Sequence, residues 1–359
     1  MTRSKRVTMA DIARESGVSL STVSMVLADK PGLPAETRQR VLSVSHALGY
    51  HSRAVTISAV DCSLKTVFMF LKGSPGEVPR SNDFYSHVVT GIEAACHQRN
   101  IDLVFSIIPV DQDNIPLETP SILQKENVGG LLFVGMYLDE HFEHILKQNP
   151  RPTVLVDAYS ASGLFDSVIN DNVNAAYQAT SYLISKGHRQ IGFIGGKENA
   201  YPSFYERRRG YLQALQDHHL PGPYFADAST DRFEVIASAT RLLSQHPQIT
   251  ALFGCNDFMV ISAMHAAFQL GRSVPRDLSV IGVDDILMAE SVIPPLTTMQ
   301  IDKLNMGHLA VQLLANRAEV PEAMPVTAIL RPLLVERSSV WDLKPENLIL
   351  TNVSSPLQD

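Results

Sequence analysis

The sequence predicts an α/β protein in two parts: a small all-α head, then a larger body of parallel sheets arranged as two subdomains. Residues 1–50 carry three short helical signals and no strand signal. From Lys65 onward, short continuous apolar runs alternate with helical stretches, which is how strands covered on both faces read. The 359 residues suffice for two to three domains at roughly 150 residues each.

In the head, Thr8-Met9-Ala10-Asp11 is a capping-box-like start with a carboxylate at the third helical position. Ile12, Ala13 and Ser16 follow at helical spacing. Gly17 supplies the backbone angles of a tight turn, and Ser19 caps the next helix, Leu20–Leu27, whose Val23, Val26 and Leu27 share a face. Lys30-Pro31-Gly32 is a loop. Pro34 and Gly49 bound a third helix with Val41, Val44 and Leu48 as its apolar stripe. Two short helices joined by a glycine turn have the geometry that sets the second helix into a DNA major groove.

In the body, Thr66–Leu71 reads as a buried strand, Tyr85–Gln98 as a helix and Asp102–Ile108 as a strand. Ser121–Asn127 is helical, Gly130–Val134 a strand, Glu140–Lys147 helical and Thr153–Val156 a strand. A second set follows: helix Asn174–Lys186, strand Gln190–Ile194, helices Tyr205–His218 and Arg232–Ser244, strand Ala251–Gly254, helix Phe258–Leu270 and strand Ser279–Val283. Gly129-Gly130 and Gly195-Gly196 lack phosphate-loop spacing and read as turns. Asp171 and Asp257 read as helix N-caps.

Composition and charge narrow the function. Hydrophobic residues make up 45% and charged residues 19%, which is globular and excludes a disordered chain. No apolar run reaches membrane-spanning length, and no apolar segment follows the basic N-terminus, so neither a span nor a signal peptide is expected. Cys62, Cys96 and Cys255 are far apart without CxxC spacing, which argues against a disulfide framework or structural zinc and for a reducing cytoplasm. The net charge of −7 is uneven: residues 1–60 hold eight basic against four acidic side chains, leaving −11 for the rest. A basic head on an acidic body suits a head that meets phosphates. No nucleophile–base pair, cofactor fingerprint or metal-ligand spacing is visible, so no enzyme, cofactor or metal is expected.

The segments Val7–Ser19, Thr22-Val23-Ser24, Glu36–Val41 and Leu48-Gly49-Tyr50 together resemble, without gaps, the headpiece of the LacI/GalR family of transcription regulators. The resemblance implies a DNA interface formed by Thr8, Ser19, Leu20, Ser21, Thr22, Ser24, Tyr50, Arg53 and Ile57. Leu20 and Ser21 match base-reading positions; a serine hydroxyl hydrogen-bonds base edges and a leucine contacts a thymine methyl. Met25 and Ala28 depart from the family's usual Arg and Asn. In the linker, Ser52-Arg53 replaces Pro-Asn, and Ala59 stands where relatives carry the leucine that wedges into the minor groove.

The resemblance continues through Ser185–Gly196, Ala251–Asp257, Ser279–Asp285 and Pro294–Thr298. It implies a periplasmic-binding-protein-like body that takes an effector between its subdomains, beyond the carboxyl ends of the strands. On that placement Phe84, Tyr85, Asp157, Arg207, Asn256 and Asp284 are the candidate effector residues. Asp157 and Asp284 also fit turn caps, Phe84 a core residue and Arg207 a solvated basic face. The expected boundaries are a head at 1–50, a hinge at 51–65, a first effector subdomain at 66–165 plus 294–324, a second at 166–293 plus 325–341, and a flexible tail at 342–359. The implied function is a sequence-specific DNA-binding regulator, a repressor by family, acting as a homodimer on operator DNA. Its effector is expected to be a carbohydrate; a nucleobase or a protein partner is the alternative, and a solute-binding protein the rival class.

Overall fold

The structure is a computed structural model that describes residues 8–27, 33–47, 64–73, 83–124, 129–197 and 200–344 (backbone only at 9, 10, 24, 27, 35, 46 and 47). The chain divides into two compact units, Met1–Asp61 and Cys62–Asp359.

The first unit is three helices, α1 (Met9–Ser16), α2 (Leu20–Leu27) and α3 (Ala35–Ala47). Thr8 and Asp11 form the expected capping box: the Asp11 carboxylate accepts from the Thr8 N–H at 3.0 Å, and Thr8 Oγ1 accepts from the Asp11 N–H at 3.4 Å. The Thr8 hydrogen bonds hold the Asp11 carboxyl below its ordinary pKa. Gly17 ends α1 at φ 67°, a left-handed conformation that costs glycine little. Ile12, Val23, Val26 and Val41 form the core, with Ala13, Val18, Leu33 and Val44 packed against it.

The second unit follows in chain order as β1 (Thr66–Gly73), α4 (Asp83–Gln98), β2 (Asp102–Pro109), β3 (Gly130–Val134), β4 (Tyr137–Leu138), α5 (Glu140–Gln148), β5 (Thr153–Val156), β6 (Tyr159–Ser160), β7 (Asp166–Asn170), α6 (Asn172–Ser185), β8 (Ile191–Gly195), α7 (Pro202–Asp217), β9 (Tyr224–Asp227), α8 (Arg232–Gln245), β10 (Ala251–Gly254), α9 (Asp257–Gln269), β11 (Ser279–Asp284), α10 (Leu287–Ser291), β12 (Thr297–Gln300), α11 (Lys303–Glu319), β13 (Thr327–Leu330) and β14 (Leu333–Val335). Its strands form two six-stranded sheets and a two-stranded parallel pair, β4-β6. The first has the order β13-β7-β5-β3-β1-β2 and is parallel throughout. The second has the order β14-β12-β11-β10-β8-β9 and is parallel except for β14. The central strands β3, β5, β8, β10 and β11 are buried along their whole length, as their unbroken apolar runs require.

Sheet membership corrects the expected boundaries. Residues 166–170 lie in the first sheet as β7, not in the second subdomain, because Asp166 is gripped by Arg317 of α11 at 2.8 and 2.9 Å and by the Val326 N–H at 2.7 Å. Residues 297–300 lie in the second sheet as β12, where Thr298 Oγ1 donates to Asp257. β13, expected in the second subdomain, pairs with β7 in the first. Gly130 opens β3 and Gly195 closes β8, so neither is a turn residue. The start of the expected loose tail is held: the Leu343 N–H donates to the Lys186 carbonyl at 2.8 Å. Among the described residues no helix is long and apolar enough to cross a membrane, and no His/Cys/Asp/Glu cluster fits a metal ion.

Candidate effector and DNA-binding sites

The expected effector residues come from both sheets, and the structure brings four of them together. Asp157 follows β5 of the first sheet at φ 46°. Its Oδ2 accepts from the Tyr85 hydroxyl at 2.9 Å, while its Oδ1 is buried without a hydrogen-bond partner among the described residues. Asp284 ends β11 of the second sheet at φ 116°. It faces Arg207 of α7 at 3.1 Å, with both side chains nearly excluded from solvent. Arg207 Nε donates to Asn172 Oδ1 at 2.9 Å and Nη1 to the Cys255 carbonyl at 2.7 Å. Arg207 is therefore a fixed, buried donor and not a solvated basic face.

The Asp284–Asp285 turn holds two consecutive positive φ angles, 116° and 53°, which surrounding contacts must impose. The Lys303 ammonium donates to both carbonyls of the turn. Arg337 pairs with the Asp285 carboxylate at 2.7 Å, and Gln300 Nε2 donates to it at 2.9 Å. Asp257, expected as a helix cap, is instead fully buried beneath the turn; its carboxylate accepts from the Ile286 N–H at 3.0 Å and from Thr298 Oγ1 at 2.5 Å. The cap of α9 is Asn256, whose Oδ1 accepts from the Met259 N–H at 2.8 Å. Phe84 lies in the hydrophobic core, edge-on to Tyr85. Asp171 caps α6 as expected.

Sequence reading missed several groups here. Tyr201, the residue before α7, donates to the carbonyls of Met136 (3.2 Å) and Asp157 (2.9 Å). The Tyr159 hydroxyl and Asn172 Nδ2 both donate to Glu206 Oε2, at 3.2 and 2.9 Å. Lys72, near the end of β1, lies 5.3 Å from the Tyr85 ring centre and 5.1 Å from that of Tyr201, and donates to Asn114 Oδ1 at 2.9 Å. These polar residues carry no periodic or motif signal; the one available clue is that Lys72 interrupts the end of an apolar strand.

Burial governs the protonation of the site. It pushes Asp157 up to about 6 against the pull of Arg207, Tyr85 and Lys72. It lowers Lys72 to about 8, opposed by Asp157. Asp284 is raised by burial despite Arg207 and Lys303, and Asp257 is raised to about 8 by burial and by Asp284. For Arg207, burial is the largest influence and disfavours the cation, but Asp284, Cys255, Asp157 and Tyr159 together outweigh it, so its pKa is raised. A constellation of fixed donors and acceptors around the ends of β5 and β11 can hydrogen-bond a small polar molecule.

In the head, Leu20 is 55% exposed and Ser21 is exposed, whereas Val23 and Val26 of the same helix are buried. Ser19 Oγ accepts from the Thr22 N–H at 3.1 Å and lies 2.7 Å from Ser21 Oγ and 2.8 Å from Thr22 Oγ1. Thr8 is occupied by its cap. The side chain of Ser24 and all of Ala28, Tyr50, Ser52, Arg53, Ile57 and Ala59 lie outside the described residues.

Residues 8–52 match the pattern of bacterial regulatory proteins of the lacI family, and residues 180–340 that of the periplasmic binding protein-like domain. The chain is 31% identical over 341 residues to the ribose operon repressor of Haemophilus influenzae, covering 94% of this chain and 99% of that protein. Among solved structures it resembles a LacI family regulator from Enterococcus faecium with bound ribose (25% identity, TM-score 0.67, 78% of this chain and 100% of that one). It also resembles the CelR–cellobiose complex, at 25% identity and a TM-score of 0.66, over 93% of this chain and 100% of that one. With its helix-turn-helix head and two-sheet body, the chain belongs to the lacI family of bacterial regulatory proteins and is a DNA-binding transcription regulator.

Proposed function

We propose that this regulator is a cytoplasmic homodimeric repressor that binds a near-palindromic operator and is controlled by a sugar held in the cleft of its body. The observation that carries the reading is the convergence of Arg207 and Asp284 from the second subdomain with Asp157 and Tyr85 from the first, gathered where Asp157 follows β5 and Asp284 ends β11. A ligand contacting both halves has different affinities for two arrangements of the subdomains, and that difference is what couples it to operator binding. A relative named as a ribose operon repressor and a similar structure holding ribose support a sugar as the effector. Buried unpaired Cys96 and Cys255 fit a reducing compartment. For the hinge expected at 51–65, alanine at 59 is too short to wedge, so minor-groove insertion should be weak; residues 51–63 lie outside the described residues, and Leu64 is buried in the core of the body.

Selection from random duplex DNA with the full chain should return a two-fold symmetric site. Adding D-ribose or another member of a sugar panel should change the affinity for that site at least tenfold. An asymmetric site overturns the dimer, and a response to purine bases with none to any sugar overturns the effector class.

A further inference from the structure

The first-sheet half of the cleft contains a charged group, Lys72, that is not among the expected effector residues. Lys72 rests against two tyrosine rings that also hold Asp157: Tyr85 donates to the Asp157 carboxylate and Tyr201 to its backbone carbonyl. The two phenols thus fix an ammonium and a carboxylate in one rigid frame. Each has capacity to spare. Lys72 donates to Asn114 Oδ1 and to no other acceptor among the described residues, and an ammonium has three N–H groups. Asn114 is itself anchored, since its carbonyl accepts from the Tyr137 N–H at 2.8 Å. Asp157 Oδ1 is buried and unpartnered. A buried oxygen of this kind is costly unless something donates to it.

We propose that Lys72 and Asp157 form a donor–acceptor pair that binds adjacent hydroxyls of the effector, and that the site selects an uncharged polyhydroxy compound over its phosphate ester or acid. The inference rests on the cleft being the sugar site. A hydroxyl both accepts and donates, so a vicinal diol satisfies the ammonium and the free carboxylate oxygen together. The charge inventory sets the class. Asp157, Asp284 and Glu206 face Lys72, Arg207 and Lys303, so the cleft is balanced without a charged ligand. Arg207 is committed to Asp284, Asn172 and the Cys255 carbonyl, and Lys303 to the Asp284–Asp285 carbonyls. A phosphate would add negative charge to a cleft whose carboxylates are already balanced, with Lys72 the cation that has the most N–H capacity to spare, and buried like charges repel strongly.

Titration calorimetry on the full chain tests this with D-ribose and other neutral aldoses, each beside its phosphate ester and its aldonic acid. The bound neutral sugar should be favoured over both charged forms by at least about tenfold. Lys72→Met and Asp157→Asn should each weaken it roughly tenfold to a hundredfold. Lys72→Gln, which keeps N–H donors, should recover part of the loss. One deoxy analogue of the bound sugar should bind Lys72→Met and wild type alike, since the hydroxyl that Lys72 holds is gone. Tighter binding of an ester or acid to wild type overturns the proposal and needs no variant to fold. Unchanged affinity in Lys72→Met, where Asp284→Asn abolishes binding, also overturns it while leaving the cleft reading intact. If no sugar of any class binds wild type, the cleft reading fails and this inference with it.

Discussion

Arg207 Nη2 and Asp284 Oδ1 lie 3.1 Å apart, one on a helix and the other at the end of a strand, with side-chain exposures of 4% and 11%. Removing either leaves its partner charged and buried, which costs about 3–5 kcal/mol. Arg207→Ala and Asp284→Ala should therefore lose effector binding and also unfold at lower urea concentration. Arg207→Met combined with Asp284→Asn should cost less than the two single changes together, because no lone charge remains. Additive losses in urea titrations would show that the pair is not energetically coupled.

Asp257 predicts a specific pH dependence. Its carboxyl is raised from 3.8 to about 8 by burial and by Asp284, so the folded state binds its proton more tightly than the unfolded state. The stability it contributes is complete below about pH 4 and is lost as pH rises toward 8. Asparagine at 257 has no proton to lose; its oxygen still accepts from the Ile286 N–H, and its amide N–H donates to the Thr298 hydroxyl, which turns from donor to acceptor. The melting temperature of Asp257→Asn should gain on wild type steadily from pH 4 to 8. Asp157 titrates in both proteins and cancels in the difference. A constant gap would contradict this account.

Gly91 of α4 and Gly307 of α11 mark where two helices of the first subdomain touch. A Cβ at Gly91 would lie 2.2 Å from the Leu304 carbonyl oxygen, and one at Gly307 would lie 2.4 Å from that of Val88. Both obstacles are backbone and cannot swing aside. Gly91→Ala and Gly307→Ala should each cost about 1–3 kcal/mol or more through overpacking. Gly163→Ala, at φ 64° but facing open space, should cost only the backbone penalty of about 1–2 kcal/mol. Equal effects at all three positions in chemical denaturation would refute the close crossing.

In the head, exposure and capping separate two kinds of change. Ser21 is exposed beside Leu20 on the second helix and has no part in the core, so Ser21→Arg should alter the selected DNA consensus. Thr8→Ala should remove the capping bonds of α1, cost about 1 kcal/mol of head stability and weaken binding to all sequences alike. Selection from random DNA with each variant distinguishes them. An unchanged consensus for Ser21→Arg would remove Ser21 from base reading.

Local patterns determined a great deal of this protein. The capping box at Thr8, the Gly17 turn and the Val23–Val26 face depend on neighbours within a few residues, so the head was legible from the chain alone. The buried strands were legible from unbroken apolar runs, and the resemblance put forward Asp157, Arg207 and Asp284 as candidate effector residues. Tertiary structure decided the rest. Whether residues 166–170 join the first or second sheet depends on Arg317, far along the chain, and a short apolar run looks the same in either sheet. Asp257 reads as a cap locally but becomes a buried brace because Thr298 of β12 and the Ile286 N–H, just before α10, arrive from later parts of the chain. The roles of Lys72, Tyr201 and Glu206 come from partners supplied by other elements, and a polar side chain carries no periodicity that announces such a partner.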